Sequence, residues 1–386
     1  MSATPLLIIG DSPDAKTGLA RIAHDLAWLA SSIPELRVGV FGRGGLGRKS
    51  YPWASYDFDE RYQWGETRLE EAWRDFCPNG DGIMLTCWDA SRLLWLAHPS
   101  EMPEGLQAIL RSPKIQKRGY FMVDSAGPDP SKLPMEQSAV MQAFDRVCVA
   151  SKWAHGLTKA SIPAHPDLDW LPHPLNRNTF RPMDRELGRS IWGVKPHEKL
   201  VGVVMTNQAR KHWPTVMETL ALMPDVKMWF HTDRMQGYWN IGALGIEYGV
   251  TDRLLTDARA LADKELAMRY SACDATLVIS GGEGHCYPVA ESLSCGVPAV
   301  TGAYGAQAEL TFDDLLVPPS WSYIDTNHNV RRAMYDARLV ADRLYKAIAL
   351  NRHGAAQDAC IERVKHLDFK NLALVWQKWL RKGLEA

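Results

Sequence analysis

Residues 274–301 read as strand, glycine turn, helix and strand in immediate succession, an order that leaves few folds open to the chain. Asp274-Ala275-Thr276-Leu277-Val278-Ile279 is a short, apolar, β-rich run of the kind that makes a buried parallel strand. Gly281, Gly282 and Gly284 let the backbone turn where a side chain would obstruct it. Pro288 suits the first turn of a helix, and Cys295-Gly296-Val297-Pro298 ends that helix with a glycine cap and a proline beyond. A strand-helix-strand unit of this kind belongs to an open parallel sheet, whose ligands gather outside the carboxyl ends of its strands.

The same alternation runs through all 386 residues in two passes, too long a chain for one ordinary core. The first pass predicts strands at 6–9, 38–41, 82–86, 119–123 and 146–150, with a helix at 18–30. The second predicts strands at 200–205, 227–231, 276–279 and 299–301, with a helix at 215–222. Each half is therefore expected to be a doubly wound parallel α/β domain. Residues 171–182 carry three prolines among polar residues and read as an exposed connector. The expected division is a first domain over 1–175, a hinge over 176–183, a second domain over 184–365 and a tail over 366–386. Residues 371–384 of that tail have helical apolar spacing.

A net charge of −1 and a pI near 6.9 give no global pull toward nucleic acid or membrane. Seven cysteines without a paired framework suggest reduced thiols and a cytoplasmic setting. No Cys/His cluster has zinc spacing, so no structural metal is expected. The apolar run at 6–9 is too short for a signal segment or a membrane span.

Glu283 falls in the loop at the carboxyl end of the 276–279 strand, and Glu291 about one turn into the following helix. The first N–H groups of that helix, near 285–288, favour an anion. One carboxylate can accept hydrogen bonds from sugar hydroxyls and the other from a ribose. The stretch Glu283-Gly284-His285-Cys286-Tyr287-Pro288-Val289-Ala290-Glu291, followed through Ser292-Leu293-Ser294 by Cys295-Gly296-Val297-Pro298-Ala299-Val300, resembles the hallmark of the retaining glycosyltransferases of family 4. Tyr270-Ser271-Ala272-Cys273-Asp274 resembles the family's lead-in to this loop.

That resemblance implies the GT-B fold, two Rossmann-like doubly wound parallel-sheet domains facing a cleft. It implies that Glu283 faces the donor hexose and Glu291 the nucleotide ribose, with Gly284, His285, Cys286 and Tyr287 lining the donor site. Cys286 stands where the family usually has glycine, and His285 where it usually has an aromatic residue. In Thr206-Asn207-Gln208-Ala209-Arg210-Lys211, Lys211 matches a family lysine that neutralises the departing diphosphate. Thr206 replaces the family arginine, and Arg210 would supply its charge from a neighbouring position. Asn207 and His231 fall near the expected nucleotide, as does Asp233. The connector resembles the family's interdomain hinge, and the family's last helix crosses back to the first domain.

In the first half, residues 10–21 resemble the family's first βα loop, which closes over the donor phosphates and the acceptor. Thr17 can cap the following helix, Gly18 admits a ligand closely, and Asp11 is a candidate acceptor residue. Asp124 stands where many relatives place a histidine near the reacting sugar. It either orients the sugar or acceptor, or caps a turn. Arg43, Arg48 and Lys49 lie on a glycine-rich loop suited to a phosphate-bearing acceptor, and Tyr51, Trp53, Tyr56, Phe58 and Trp64 can stack on sugars or bases. The alternative for that loop is a surface turn followed by a small apolar cluster.

Asp57-Phe58-Asp59 and Asp167-Leu168-Asp169 have the Asp-x-Asp form of metal-dependent GT-A enzymes, but they read as surface acids. His24 faces either the core or the ligand side of its helix. Trp28, Trp73, Trp376 and Trp379 have helical spacing and read as packing residues. The resulting expectation is a metal-independent, retaining glycosyltransferase without a cofactor, using a nucleoside-diphosphate sugar, UDP-sugar favoured, as co-substrate. Its acceptor hydroxyl would lie on a glycan, a lipid or a hydroxymethylated DNA base. A sugar-nucleotide epimerase of the same fold and a catalytically silent binding subunit are the competing readings.

Overall fold

Strand and helix do alternate in two passes, and the passes build two parallel sheets. The computed structural model describes residues 3–45, 50–257, 260–326, 328–352 and 356–384. Two compact units emerge. One holds the chain to Pro174, the short stretch Asn327–Val330 and the chain again from Lys370 onward, and the other holds Leu175–Thr326 and Arg331–Phe369.

The first unit carries seven parallel strands in the order β3-β2-β1-β4-β5-β6-β7. They are β1 (Thr4–Asp11), β2 (Leu36–Arg43), β3 (Ala54–Phe58), β4 (Gly82–Thr86), β5 (Ile115–Phe121), β6 (Arg146–Val149) and β7 (Leu168–Trp170). Leu6 to Ile9 on β1 are wholly buried, which fits a central strand with helices on both faces. Strand order reverses between β1 and β4, and this is the point where such sheets bind ligands. Edge strand β3 is short and largely exposed, and β7 is only three residues long and half-buried, so no apolar run announces them.

Strand β5 begins four residues before its predicted start and ends two before its predicted end. Its amino-terminal half is polar, yet Arg118 is fully buried there. The guanidinium donates to the carbonyls of Leu380 at 2.6 Å and Lys382 at 2.8 Å and to Gln116 Oε1. A buried cation needs such acceptors, and the helix Phe369–Arg381 brings them. That helix also buries Trp376, whose Nε1 donates to the Pro172 carbonyl at 3.1 Å and whose ring meets Tyr120 edge-on. Trp73, Trp376 and Trp379 are buried as expected. Trp28 is not: it is 55% exposed, because the helix Gly18–Ser31 buries the stripe holding Ala23, Leu26, Ala27 and Ala30.

The second unit carries six parallel strands in the order β10-β9-β8-β11-β12-β13, and a separate two-stranded ribbon, β14-β15. They are β8 (Lys199–Val204), β9 (Val226–His231), β10 (Leu254–Thr256), β11 (Ala275–Val278), β12 (Ala299–Gly302), β13 (Leu316–Val317), β14 (Trp321–Asp325) and β15 (Val330–Met334). The reversal point lies between β8 and β11. All seven cysteines are free thiols and buried. Among the described residues no helix is long and apolar enough to cross a membrane.

Candidate functional site

In the second unit, the chain leaving β11 turns through residues 279–283 with every residue buried. Residues 210–212 are zipped against this turn: Gly281 N–H donates to the Arg210 carbonyl at 2.8 Å, and His212 N–H to the Ile279 carbonyl at 3.2 Å. A Cβ on Gly281 would lie 3.1 Å from the Arg332 Cβ and 3.4 Å from His212 Nε2, so any larger residue there would push these side chains back by a few tenths of an ångström.

The zipper delivers two cations to one acid. Arg210 donates to Glu283 Oε1 at 2.5 Å, to the Gly282 carbonyl at 3.0 Å and to Ser280 Oγ at 3.2 Å. Lys211 Nζ donates to the same Glu283 oxygen. Burial alone would push the Glu283 carboxyl up, but Arg210 and Lys211 more than reverse that and hold it at about 2. Burial draws the Lys211 ammonium below its ordinary value, and Glu283 works against that. Two cations against one carboxylate leave an excess positive charge at the end of β11, beside the amino terminus of the helix Tyr287–Ser294. Such a place suits an anion.

Cys286 caps that helix in the left-handed region, with φ 66° and ψ 64°. Only glycine reaches this region without steric cost, so the cysteine carries roughly 1 kcal/mol of local strain. Burial and the neighbouring Glu283 charge push its thiol up to about 12, so it is no nucleophile. His285 and Tyr287 meet edge to face at 4.8 Å. Glu291 is 3% exposed and accepts a hydrogen bond from the Tyr270 hydroxyl at 2.9 Å.

The remaining donor-site candidates of this unit divide. His231 ends β9, half-buried, its ring parallel to Trp229, and burial lowers its pKa. Thr206 is exposed, and its carbonyl accepts from Trp213 Nε1. Asn207 is buried, with its amide donating to the Arg234 and Trp239 carbonyls and its oxygen accepting from Trp239 N–H. Its observed work is to hold the 233–239 loop.

In the first unit, Asp11 ends β1 and accepts from the Thr17 hydroxyl at 2.6 Å, from Trp88 Nε1 at 2.8 Å and from Arg92 at 3.3 Å. Thr17 Oγ in turn accepts from Ala20 N–H and caps the helix that begins at Gly18. Arg43 at the end of β2 and Arg92 beyond β4 both lie over the Trp64 ring, at 4.6 and 4.8 Å. Asp11, Arg43, Trp64, Trp88 and Arg92 thus meet where this sheet reverses its strand order. Tyr51 donates to Asp14 at 2.9 Å and stacks on Trp53, and His24 on the first helix meets both rings edge-on. Asp124 lies half-buried three residues beyond the end of β5. Arg48 and Lys49 lie outside the described residues.

The two Asp-x-Asp pairs do structural work or face water. Asp57 is exposed on β3, and Asp59 pairs with Arg61 at the surface. Asp167 joins Arg146 and Lys382. Sequence reasoning missed Arg92 and Trp88, although both closely follow a clear apolar strand. It also gave no role to Tyr270, Arg332 or His212; tertiary contacts bring the first two to the site, and His212 comes with its neighbour Lys211.

No family model matches the chain. Among curated proteins it is similar to the D-inositol 3-phosphate glycosyltransferase of Mycobacterium marinum, 25% identical over 193 residues, or 48% of this chain and 40% of that protein. The match to the enzyme of the same description from Mycobacterium tuberculosis is 26% over 196 residues, 48% of this chain and 39% of that one. The chain spans about two fifths of these relatives' length. Among solved structures it is similar to sucrose-phosphate synthase from Thermosynechococcus elongatus, with a TM-score of 0.75, 18% identity and 98% of each chain covered. The fold is therefore that of the GT-B proteins, with two parallel-sheet α/β domains. A further structural neighbour is the HepE protein of Anabaena in complex with UDP-glucose, with a TM-score of 0.71, 12% identity and 99% of each chain covered.

Proposed function

We propose that this protein is a retaining, metal-independent glycosyltransferase that moves a sugar from a nucleoside diphosphate, UDP by preference, to an acceptor hydroxyl. The observation that carries the reading is the buried Arg210–Glu283–Lys211 cluster at the end of β11, next to a helix amino terminus. The names of the curated relatives support sugar transfer, and the UDP-glucose bound to the HepE protein supports the donor class.

Charge builds on the diphosphate as the glycosidic bond breaks, and Arg210, Lys211 and the N–H groups near 285–288 neutralise it. Glu283, fixed as an anion, orients the donor sugar, and Glu291 with Tyr270 receives the ribose. The acceptor oxygen attacks the oxocarbenium-like carbon from the face the diphosphate leaves, and its proton passes to a departing phosphate oxygen. Asp11, Arg43, Trp64 and Asp124 receive the acceptor, a hydroxyl on a glycan, a lipid or a hydroxymethylated DNA base.

The test is a panel of UDP-, GDP- and ADP-sugars scored by thermal shift, followed by turnover with the best donor on hydroxymethylated DNA and on glycan primers. A UDP-sugar is expected to raise the melting temperature most, and a panel without any shift would sink the reading. Product from donor alone would indicate an epimerase. Glu291→Gln is expected to weaken donor affinity about tenfold, the scale of one lost charge-assisted hydrogen bond, and unchanged affinity would remove the ribose assignment.

A further inference from the structure

Directly beneath the Gly281 turn, His212 is 3% exposed and neither of its ring nitrogens has a hydrogen-bond partner. Gln307 Oε1, fully buried, shares that condition, and the Tyr335 hydroxyl, on a residue 5% exposed, interacts with the Gln307 side chain. The three side chains lie together. The His212 and Tyr335 rings are 5.9 Å apart between centroids. The Gln307 amide reaches the Ser280 and Gly302 carbonyls, both at 3.4 Å, and the Tyr335 hydroxyl fills the space a Cβ on Gly302 would need, 2.0 Å away.

Three polar atoms buried close together without partners are unusual, because buried polar groups in native proteins are paired, often through an internal water. The ring is neutral: burial, then the charges of Lys211 and Arg332, pull its pKa down to about 4. A neutral imidazole offers one N–H donor and one acceptor, a tyrosine hydroxyl offers both, and an amide oxygen accepts. Water complements this set: a water at one ring nitrogen can accept from its N–H and from the Tyr335 hydroxyl and donate to Gln307 Oε1.

We propose that ordered water fills the space between His212, Tyr335 and Gln307 and makes His212 a positioning residue for Glu283. The water ties the base of the 280–283 turn to the segments that follow β12 and β15, so the turn that carries Glu283 is held from below as well as by Arg210 and Lys211. The water itself is independent of the proposed function; only its effect on turnover rests on that reading.

A high-resolution crystal structure of the full chain tests the first part. Solvent density within about 3 Å of a His212 nitrogen and of the Tyr335 hydroxyl is expected. Direct side-chain contact between these groups, an empty space, or an anomalous halide peak there after a bromide soak would each overturn it. Kinetics test the second part. Tyr335→Phe keeps the ring and removes one partner of the water, and a fall in kcat of about tenfold with donor KM within about twofold is expected from a slightly misplaced turn. His212→Gln, which keeps a donor and an acceptor, is expected to retain more turnover than His212→Leu. Full turnover in both Tyr335→Phe and His212→Leu, or a loss confined to donor KM, would overturn the positioning role even with the water present.

Discussion

The two sheets hold their strand-end acids in opposite ways. Glu283 in the second unit is buried and bound by two cations, whereas Asp11 in the first is bound by a hydroxyl, an indole N–H and a more distant, partly exposed arginine. The loop around Glu283 is glycine-rich, and backbone packs on backbone there. Around Asp11 the neighbours are aromatic, with Trp64 between two guanidinium groups. One architecture thus yields a buried ion cluster in one unit and a cluster of aromatic rings and arginines in the other. The first suits a small, highly charged group held rigidly, and the second a larger surface with hydroxyls.

The largest expected effect is at the charged end. Glu283→Gln leaves Lys211 and Arg210 without their counter-charge, and breaking such a buried cluster costs about 3 to 5 kcal/mol. Turnover is expected to fall about 100-fold, the scale of a lost electrostatic contact to a transition state. Urea denaturation and kcat check the two parts, and a variant near wild type in both would erase the contrast between the units.

Next comes His212. Its folded pKa of about 4 lies below the ordinary 6.5, so the unfolded chain binds the extra proton first as pH falls. The stabilisation is fully present above pH 6.5 and is lost as pH drops toward 4, amounting to about 3 kcal/mol. Melting curves of His212→Leu are expected to lack this part of the acid decline. An identical pH profile would show that the ring is solvated.

A smaller effect is expected in the first unit. Trp64→Ala removes the surface shared by Arg43 and Arg92, and acceptor KM is expected to rise about tenfold with donor affinity unchanged. A change in donor affinity instead would mean that the two regions do not divide the substrates as proposed. The smallest effect is a gain: Cys286→Gly relieves the left-handed φ and is expected to stabilise the chain by about 1 kcal/mol, read from the denaturation midpoint.

Much of the second unit could be read from sequence because its site is local. Glu283, the glycines and the helix through Glu291 lie within a few residues of one apolar strand, and the pattern of a buried strand ending in glycine is visible without tertiary information. Arg210 and Lys211 were legible for the same reason, as the turn after β8. What joins them to Glu283 was not legible, since the zipper of 210–212 on 279–281 spans some seventy residues of chain. Strand β5 was misplaced because its burial depends on carbonyls from the far end of the chain, which no hydropathy window contains. Trp28 misled for the opposite reason: a large apolar side chain at helical spacing faces water when small alanines fill the core-facing stripe.

Arg118 has a consequence for how the protein is made. The carbonyls that receive its guanidinium belong to residues 379–382, which leave the ribosome only after the whole second unit has been synthesised. Until then a cation in the middle of the first sheet has Gln116 but not these carbonyls, and that sheet is less stable. A fragment ending at Pro174 would carry the same defect permanently, so the amino-terminal half is a poor candidate for separate expression.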